Sequence, residues 1–345
     1  MNNLIDQLSR THRLPLDGYL QILTNATAAD AARLAALARA ETEKYYGTGV
    51  FVRGLIEISN YCKNDCYYCG IRRSNRSCTR YRLTPEQILE CCDEGYGLGF
   101  RTFVMQGGED GYFSDELLVP LLRAIKEKYP DCAITLSLGE RSRESYQKLK
   151  QAGADRYLLR HETIDRHHYR TLHPENLSWQ HRMDCLQALR DAGFQVGCGF
   201  MVGSPGQTVE MLARELQFVE TFQPDMCGIG PFMPQHDTPF RDAPAGSAEL
   251  TCLLLSCIRL IHPKILLPST TALASLIPDG REKGILAGAN VVMPNLSPSS
   301  QRKNYALYDN KLSDGAEAAQ SLALLENKLA VIGRHIEYVR GDALQ

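Results

Sequence analysis

The sequence has little net charge and no long uninterrupted hydrophobic run, and each absence argues against a class of function. Its 345 residues carry a formal charge of −2, which gives no electrostatic reason to expect a nucleic-acid or membrane-surface partner. The longest apolar stretch, "TCLLLSCIRLIHPKILLP", is interrupted by Arg259, His262, Pro263 and Lys264, which argues against a membrane span. The N-terminus lacks a basic segment followed by an apolar one, so no secretory signal is expected. We therefore expect a cytoplasmic protein that acts on a small molecule.

Short strand-like segments alternate with longer helical segments over most of the chain. The predicted strands are "VRGLIEIS", "RTFVMQ", "AITLSL", "RYLLRH", "QVGCGFMV", "MCGIGPF", "KILLPS" and "NVVMPN". This alternation implies parallel strands with right-handed crossovers, and eight such units predict an α/β protein with a closed (β/α)8 barrel of the TIM type. An open doubly wound sheet is the alternative. We predict a single domain, with an N-terminal helical extension (1–48), the barrel (49–310) and a C-terminal helical segment (311–345).

Functional residues of such a barrel follow the C-terminal ends of the strands. Polar or glycine-rich segments stand at these positions: "SNYC", "QGGED", "SLGER", "RHET", "MVGSPGQT", "GPFMPQHDTP", "STTA" and "PNLSPS". The first of them opens the stretch "EISNYCKNDCYYCGIRRSN". Cys62, Cys66 and Cys69 are therefore expected at the mouth of the barrel.

This cysteine loop lacks a fourth cysteine at a matching interval. A structural zinc site takes four protein ligands, commonly from two CxxC pairs, and the chain has no second pair. Cys78 could serve as a fourth ligand only if "GIRRSNRS" folds back. A cubane 4Fe-4S cluster held by three cysteines leaves one iron open for an external ligand. Eight other cysteines lie in apolar periodic segments and are interpreted as core residues: Cys91, Cys92, Cys132, Cys185, Cys198, Cys227, Cys252 and Cys257.

The spacing CxxxCxxC, with Tyr68 just before the last cysteine, resembles the cysteine loop of the radical S-adenosylmethionine (SAM) superfamily. The resemblance implies one 4Fe-4S cluster on the three cysteines, SAM bound at the open iron, and reductive cleavage of SAM to a 5'-deoxyadenosyl radical. "QGGED" is similar to the segment of these enzymes whose backbone receives the SAM amino group. Gln106, Gly107 and Gly108 are the matching residues, and glycine permits close backbone approach to a ligand.

Longer segments resemble one family within the superfamily, the HydE maturases of iron-iron hydrogenases. They include "RYRLTPEQI", "TLSLGER", "GADRYLLRHET", "MVGSPGQT", "GIGPFMPQHDTP" and "GANVVMPNLSPS". The resemblance implies a role in assembling the hydrogenase H-cluster from a small iron-cysteine species with carbonyl and cyanide ligands. It also implies a low-potential electron donor, such as ferredoxin or flavodoxin, and other hydrogenase maturases as partners.

Further site residues are carried over from the same resemblance. For some of them a structural role is the alternative to a ligand contact. Arg160 and Glu162 could form a salt bridge with each other at the barrel rim, and Ser137 could be a turn residue. The two threonines after the seventh strand are also good strand formers. The residues implied to contact SAM are Tyr68, Gln106, Gly107, Gly108, Ser137, Arg160, Glu162 and Arg182, and those implied to line the substrate cavity are Thr270, Thr271 and Tyr305.

The sequence leaves other functions open. A radical SAM mutase or sulfur-insertion enzyme, of the methylornithine synthase or biotin synthase type, is the enzyme alternative, and a zinc-stabilised scaffold is the non-enzymatic one. Some HydE members carry a second cluster on three cysteines near the C-terminus. Here no cysteine follows Cys257, and the corresponding stretch has Ser313 and Ser321, so a second cluster is not expected.

Overall fold

A computed structural model of the chain describes residues 1–312 and 318–344, so Ser313 lies outside the described residues. The helices are α1 (Asn2–Thr11), α2 (Leu16–Asn25), α3 (Ala28–Tyr46), α4 (Pro85–Gly97), α5 (Asp115–Lys128), α6 (Arg143–Gln151), α7 (Arg166–Leu172), α8 (Trp179–Asp191), α9 (Val209–Phe222), α10 (Ala248–Ile261), α11 (Thr271–Leu276), α12 (Gly280–Leu286), α13 (Ser299–Arg302) and α14 (Ala318–Val331). None of these helices is long and apolar enough to cross a membrane.

The strands are β1 (Gly49–Val52), β2 (Gly54–Ser59), β3 (Thr102–Gly107), β4 (Ala133–Ser137), β5 (Arg156–Leu158), β6 (Gln195–Cys198), β7 (Met201–Val202), β8 (Met226–Cys227), β9 (Gly230–Pro231), β10 (Val291–Val292) and β11 (His335–Glu337). A six-stranded parallel sheet runs in the order β2-β3-β4-β5-β6-β8. Strands β10, β1 and β11 form a second parallel sheet, and β7 pairs with β9.

Isolated parallel bridges close the six-stranded sheet into a barrel. Met226 of β8 pairs with Leu266, and Pro268 pairs with Val291 of β10. The circle is completed by Leu55 of β2 and Asn295, which follows β10. The predicted TIM-type (β/α)8 architecture is therefore confirmed.

The strands of the second half are shorter than the sequence predicted. The fifth predicted strand is divided into β6 and β7, and the sixth into β8 and β9. The interruptions lie at Gly199 and Gly228, whose backbones approach each other closely. The seventh predicted strand, residues 264–269, makes only the bridges at Leu266 and Pro268. Proline has no amide hydrogen to donate to a ladder, which limits regular pairing there.

The two termini pack around the barrel. Residues 1–48 hold α1–α3, and α3 packs against α10. The segment after residue 311, expected to be helical, also contributes the strand β11. Beyond β11 the chain crosses the N-terminal end of the barrel, where buried Arg156 pairs with Asp342 at 2.5 Å and donates to the Arg340 carbonyl at 2.8 Å.

Side-chain alternation along β2 and β3 defines what faces the barrel interior. Ile56 and Ile58 belong to the main hydrophobic core, which also contains residues of the surrounding helices. Successive side chains of a strand point to opposite faces, so Leu55 and Glu57 point inward. Glu57 is in register with Gln106. The upper interior is therefore polar at the end where the strands finish.

Candidate cofactor and substrate site

Hydrogen bonds to the surrounding chain fix the cysteine loop. Arg80 folds back beneath it and donates to the carbonyl oxygens of Ile71 at 2.8 Å and Arg72 at 2.6 Å. The amide of Lys63 donates to the Glu109 carbonyl at 2.9 Å, and the amide of Gly70 to that of Leu307 at 2.8 Å. A loop without regular secondary structure is thus held in one conformation by its backbone groups.

The three loop thiols lie close enough to influence one another electrostatically. Burial raises the pKa of Cys69 to about 12. It also raises the pKa of Cys66, to which Cys69 and Cys62 contribute further. Without a metal the thiols are therefore protonated, and metal binding would release protons.

The described residues do not place these thiols around a single metal ion. Among residues 1–312 and 318–344, no three His, Cys, Asp or Glu side chains are grouped so that they could share one metal ion. A cubane makes a different demand, because each of its cysteines binds a different iron. Cys78, the candidate fourth ligand, lies beside the Asn60 amide at 3.5 Å, and burial raises its pKa, with Arg80 and Asp237 as charged neighbours.

Gly108 provides a close approach between the second strand end and the cysteine loop. A β-carbon at this position would lie 2.2 Å from the Tyr61 carbonyl oxygen and 2.8 Å from the Cys62 β-carbon. Any side chain would therefore displace the loop. Gly107, which ends β3, would bring a β-carbon 3.3 Å from the Ser59 carbonyl oxygen, so it is also tightly enclosed.

Tyr68 is held by a neutral histidine. Its hydroxyl lies 3.2 Å from His173 Nε2, and Nδ1 of the same ring lies 2.9 Å from the Tyr169 carbonyl oxygen. Because a carbonyl can only accept, Nδ1 carries the proton and Nε2 accepts from the Tyr68 hydroxyl. Burial lowers the pKa of His173 to about 3, so the ring is neutral at ordinary pH.

Arg182 stands between two buried carboxylates. Its Nε is 2.8 Å from Glu140 Oε1, and one terminal nitrogen is 3.6 Å from Glu109 Oε1. Burial opposes the charge of Arg182, but Glu140 and Glu109 more than compensate and raise its pKa. Lys63 pairs with Glu109 at 3.2 Å. The site thus contains both signs of charge beside the cysteine loop, which suits a zwitterionic ligand.

Arg160 and Glu162 form the rim salt bridge that the sequence left open, at 3.0 Å. Two details distinguish them from an ordinary surface pair. Glu162 has φ of +65°, a conformation that costs energy for a residue with a side chain and is enriched at functional sites. The buried Nε of Arg160 has no hydrogen-bond partner among the described residues, so it remains available to a ligand.

Of the residues expected to line the substrate cavity, Tyr305 lies beside Gln106, which is expected to contact SAM. Gln106 Nε2 is 3.4 Å from the buried Tyr305 hydroxyl, and Ser137 is in register with Gln106 on the next strand. Thr270 precedes α11, but its hydroxyl does not cap the helix and has no hydrogen-bond partner among the described residues. Thr271 lines a cavity of about 40 Å³.

Four charged residues near these positions were not predicted from the sequence. Glu109 and Glu140 stand in "QGGED" and "SLGER", which were recognised as strand ends, yet only their neighbours were chosen. Glu57 is an acidic residue within an otherwise apolar strand, and that contrast could have revealed it. Lys311 follows the barrel, and its contact with Glu57 depends on the fold.

Comparison with known proteins identifies the family. The model of the radical SAM superfamily matches residues 56–219, from β2 into α9, including the cysteine loop. The [FeFe] hydrogenase maturase subunit HydE of Thermotoga maritima is 41% identical over 291 residues, covering 84% of this chain and 83% of that protein. This chain belongs to the radical SAM superfamily.

Methylornithine synthases are also similar to this chain. The 3-methylornithine synthase of Methanosarcina barkeri is 33% identical over 287 residues, which cover 82% of this chain and 79% of that protein. The crystal structure of methylornithine synthase (PylB) has a TM-score of 0.85 at 29% identity, with 97% of each chain covered. This chain therefore shares the fold of methylornithine synthase, whereas its sequence identity to HydE is higher.

Membership of the superfamily fixes the cofactors, a 4Fe-4S cluster and SAM. The residues present fit both. Three half-buried cysteines on a fixed loop suit the cluster. The Arg160 Nε, which has no hydrogen-bond partner among the described residues, and the close approach at Gly108 suit a bound ligand beside it. The chain is a radical SAM enzyme.

Proposed function

We propose that this radical SAM enzyme acts as a HydE-type maturase in assembling the di-iron active site of iron-iron hydrogenase. The supporting observation is the 41% identity to HydE over more than four fifths of both chains, against 33% to 3-methylornithine synthase. In this proposal the substrate is a small iron-cysteine species that carries carbonyl and cyanide ligands.

Each site residue has a stated role in this proposal. When bound, the cluster and SAM supply an electron and a 5'-deoxyadenosyl radical. Cys62, Cys66 and Cys69 hold the cluster, and the Gly107 and Gly108 backbone receives the SAM amino group. Arg182 pairs with the SAM carboxylate, because a guanidinium binds carboxylates in a bidentate manner.

The remaining contacts orient the nucleoside and the substrate. Glu162 accepts hydrogen bonds from the ribose hydroxyls, and its pairing with Arg160 holds it in position. Tyr68, Gln106 and Ser137 complete the SAM surface. Thr270, Thr271 and Tyr305 form the polar wall of the substrate cavity.

Two exposed arginines after the cysteine loop support a docking surface for the electron donor in this proposal. Arg73 and Arg76 are exposed, and neither has an ion-pair partner among the residues that the structure describes. We assign this surface to an acidic low-potential protein of the ferredoxin or flavodoxin kind, since opposite charges steer such encounters. Other hydrogenase maturases are the expected source and recipient of the substrate.

A 3-methylornithine synthase is the second candidate, favoured by the TM-score of 0.85 to PylB. The deciding assay adds the purified protein to a maturation mixture that contains inactive hydrogenase and the other maturases. Activation of the hydrogenase supports the proposal, and the Cys66→Ala variant should not activate it. Conversion of lysine to a methylornithine-like product by an SAM-cleaving preparation that activates no hydrogenase would assign the chain to the synthase.

A further inference from the structure

Glu57 is a fully buried carboxylate on the inner wall of the barrel. It points inward from β2, and one of its oxygens accepts a hydrogen bond from the Asn295 amide at 2.9 Å. The other oxygen is paired with the Lys311 ammonium group. One step lower on the same face the inward residue is the apolar Leu55, whereas at this position it is the charged Glu57.

Lys311 reaches this carboxylate from the segment that follows the barrel. Its ammonium group also donates to the Tyr305 carbonyl at 2.8 Å and lies 4.7 Å from the centre of the Tyr305 ring. The side chain is 12% exposed. Glu57, Lys311 and Thr271 border the same cavity of about 40 Å³, and Thr271 is one of the residues expected from the sequence to line the substrate cavity.

A buried ion pair of this kind contributes little to stability by itself. Removing two charges from water costs about as much as their attraction returns, and an apolar pair of similar volume is often as stable. Each charge nevertheless requires a partner as long as it stays buried. A ligand that enters the cavity can therefore separate the pair only if it brings one group for each charge.

We propose that Glu57 and Lys311 are the pair that recognises the charges of an α-amino-acid group on the substrate. The ammonium group of the ligand takes the place of Lys311 on Glu57, and its carboxylate binds Lys311. This inference rests on the proposed function, whose substrate contains cysteine, and assigns two specificity residues to it. The flexible four-carbon stem of lysine allows the exchange without a change in the barrel.

Three probes of similar length test the proposal: L-norvaline carries both charges, valerate only the carboxylate and butylamine only the ammonium group. None contains a thiol, so none competes for iron through sulfur. Binding to the reconstituted, SAM-loaded protein is measured by calorimetry. We expect norvaline to bind about 10- to 100-fold more tightly than either single-charge probe, the range for losing a charged hydrogen bond.

Variants assign each charge to its residue. Glu57→Gln should abolish the preference for norvaline over valerate, and Lys311→Met should abolish the preference over butylamine. Lys126→Met is the matched control, because Lys126 pairs with Asp155 at 3.3 Å outside this cavity. It should bind all three probes as the wild type does. Thermal unfolding of each variant, and SAM cleavage without substrate, establish that the protein is folded.

Equal binding of the three probes by the wild type, or no binding of norvaline, would overturn the proposal. So would a folded Glu57→Gln protein that still prefers norvaline to valerate. If Glu57→Gln fails to fold, the charge-exchanged double variant Glu57→Lys with Lys311→Glu takes its place. That variant should fold and still prefer norvaline, and loss of the preference would count against the proposal. Hydrogenase activation by the wild type is scored separately, so the inference can fail while the maturase function stands, and the reverse.

Discussion

Removing Arg182 tests whether the charged cluster beside the cysteine loop is as tightly coupled as its geometry indicates. Arg182 is 8% exposed, and its nitrogens lie 2.8 Å from Glu140 and 3.6 Å from Glu109. In the variant Arg182→Met, both carboxylates remain in a buried site without their shared cation. Breaking a buried pair in this way costs about 3 to 5 kcal/mol. That is a large part of the 5 to 15 kcal/mol that stabilises a typical protein.

Removing the partner as well should recover part of this loss. The double variant Arg182→Met with Glu140→Met no longer contains the carboxylate that approaches closest, and Glu109 keeps Lys63 at 3.2 Å. We therefore expect a coupling energy between Arg182 and Glu140 of about 1 to 3 kcal/mol in a double-mutant cycle. The free energy of unfolding is measured by urea titration of the metal-free proteins under anaerobic conditions.

The conservative variant Arg182→Lys separates charge from geometry. It keeps the positive charge but loses the planar guanidinium, so it should retain most of the stability while binding SAM more weakly. A coupling energy below about 0.5 kcal/mol, or an Arg182→Met protein that binds SAM like the wild type, would refute the reasoning on this residue.

Three further predictions concern the cysteine loop, the histidine that contacts Tyr68, and the outer surface of the loop. Gly108→Ala should lower the iron content well below the about four atoms per chain of one cubane, because its β-carbon would lie 2.2 Å from the Tyr61 carbonyl oxygen, whereas Gly111→Ala, with nothing within 4 Å, should keep the full content. Burial lowers the pKa of His173 from 6.5 to about 3, so the unfolded chain takes up the proton first as the pH falls. Stability should then drop by up to about 1.4 kcal/mol per pH unit below about pH 6.5, and less steeply in His173→Gln; an equal slope in the two proteins would contradict this. Exchange of Arg73 and Arg76 for glutamate should slow SAM cleavage driven by an acidic donor protein but not by dithionite, and equal slowing with both reductants would contradict the docking surface.

The alternation of strands and helices made the barrel and its cysteine loop predictable from the sequence. Both depend on local patterns, because parallel strands joined by helices place their following loops at one end. Cys62, Cys66 and Cys69 therefore lie at the mouth of the barrel as expected. Gly108 was also accessible to this reasoning, since it stands in "QGGED", the segment at the end of the second predicted strand.

The charged interior could not be predicted in the same way. Whether Glu57 points into the barrel or outward depends on the register of β2 with β3 and on closure of the sheet, which are long-range properties. Lys311 is separated from Glu57 by most of the chain. The seventh strand was predicted too long, because Pro268 interrupts the ladder where composition alone indicated a strand.

The most direct test of the central claim is to reduce the reconstituted protein in the presence of SAM and measure 5'-deoxyadenosine and methionine. The account predicts that the wild type forms both products in equal amounts, and that Cys66→Ala, which removes a proposed cluster ligand, forms neither. A wild-type preparation with about four irons per chain that releases no 5'-deoxyadenosine would contradict it. Product formation by Cys66→Ala at the wild-type rate would do the same.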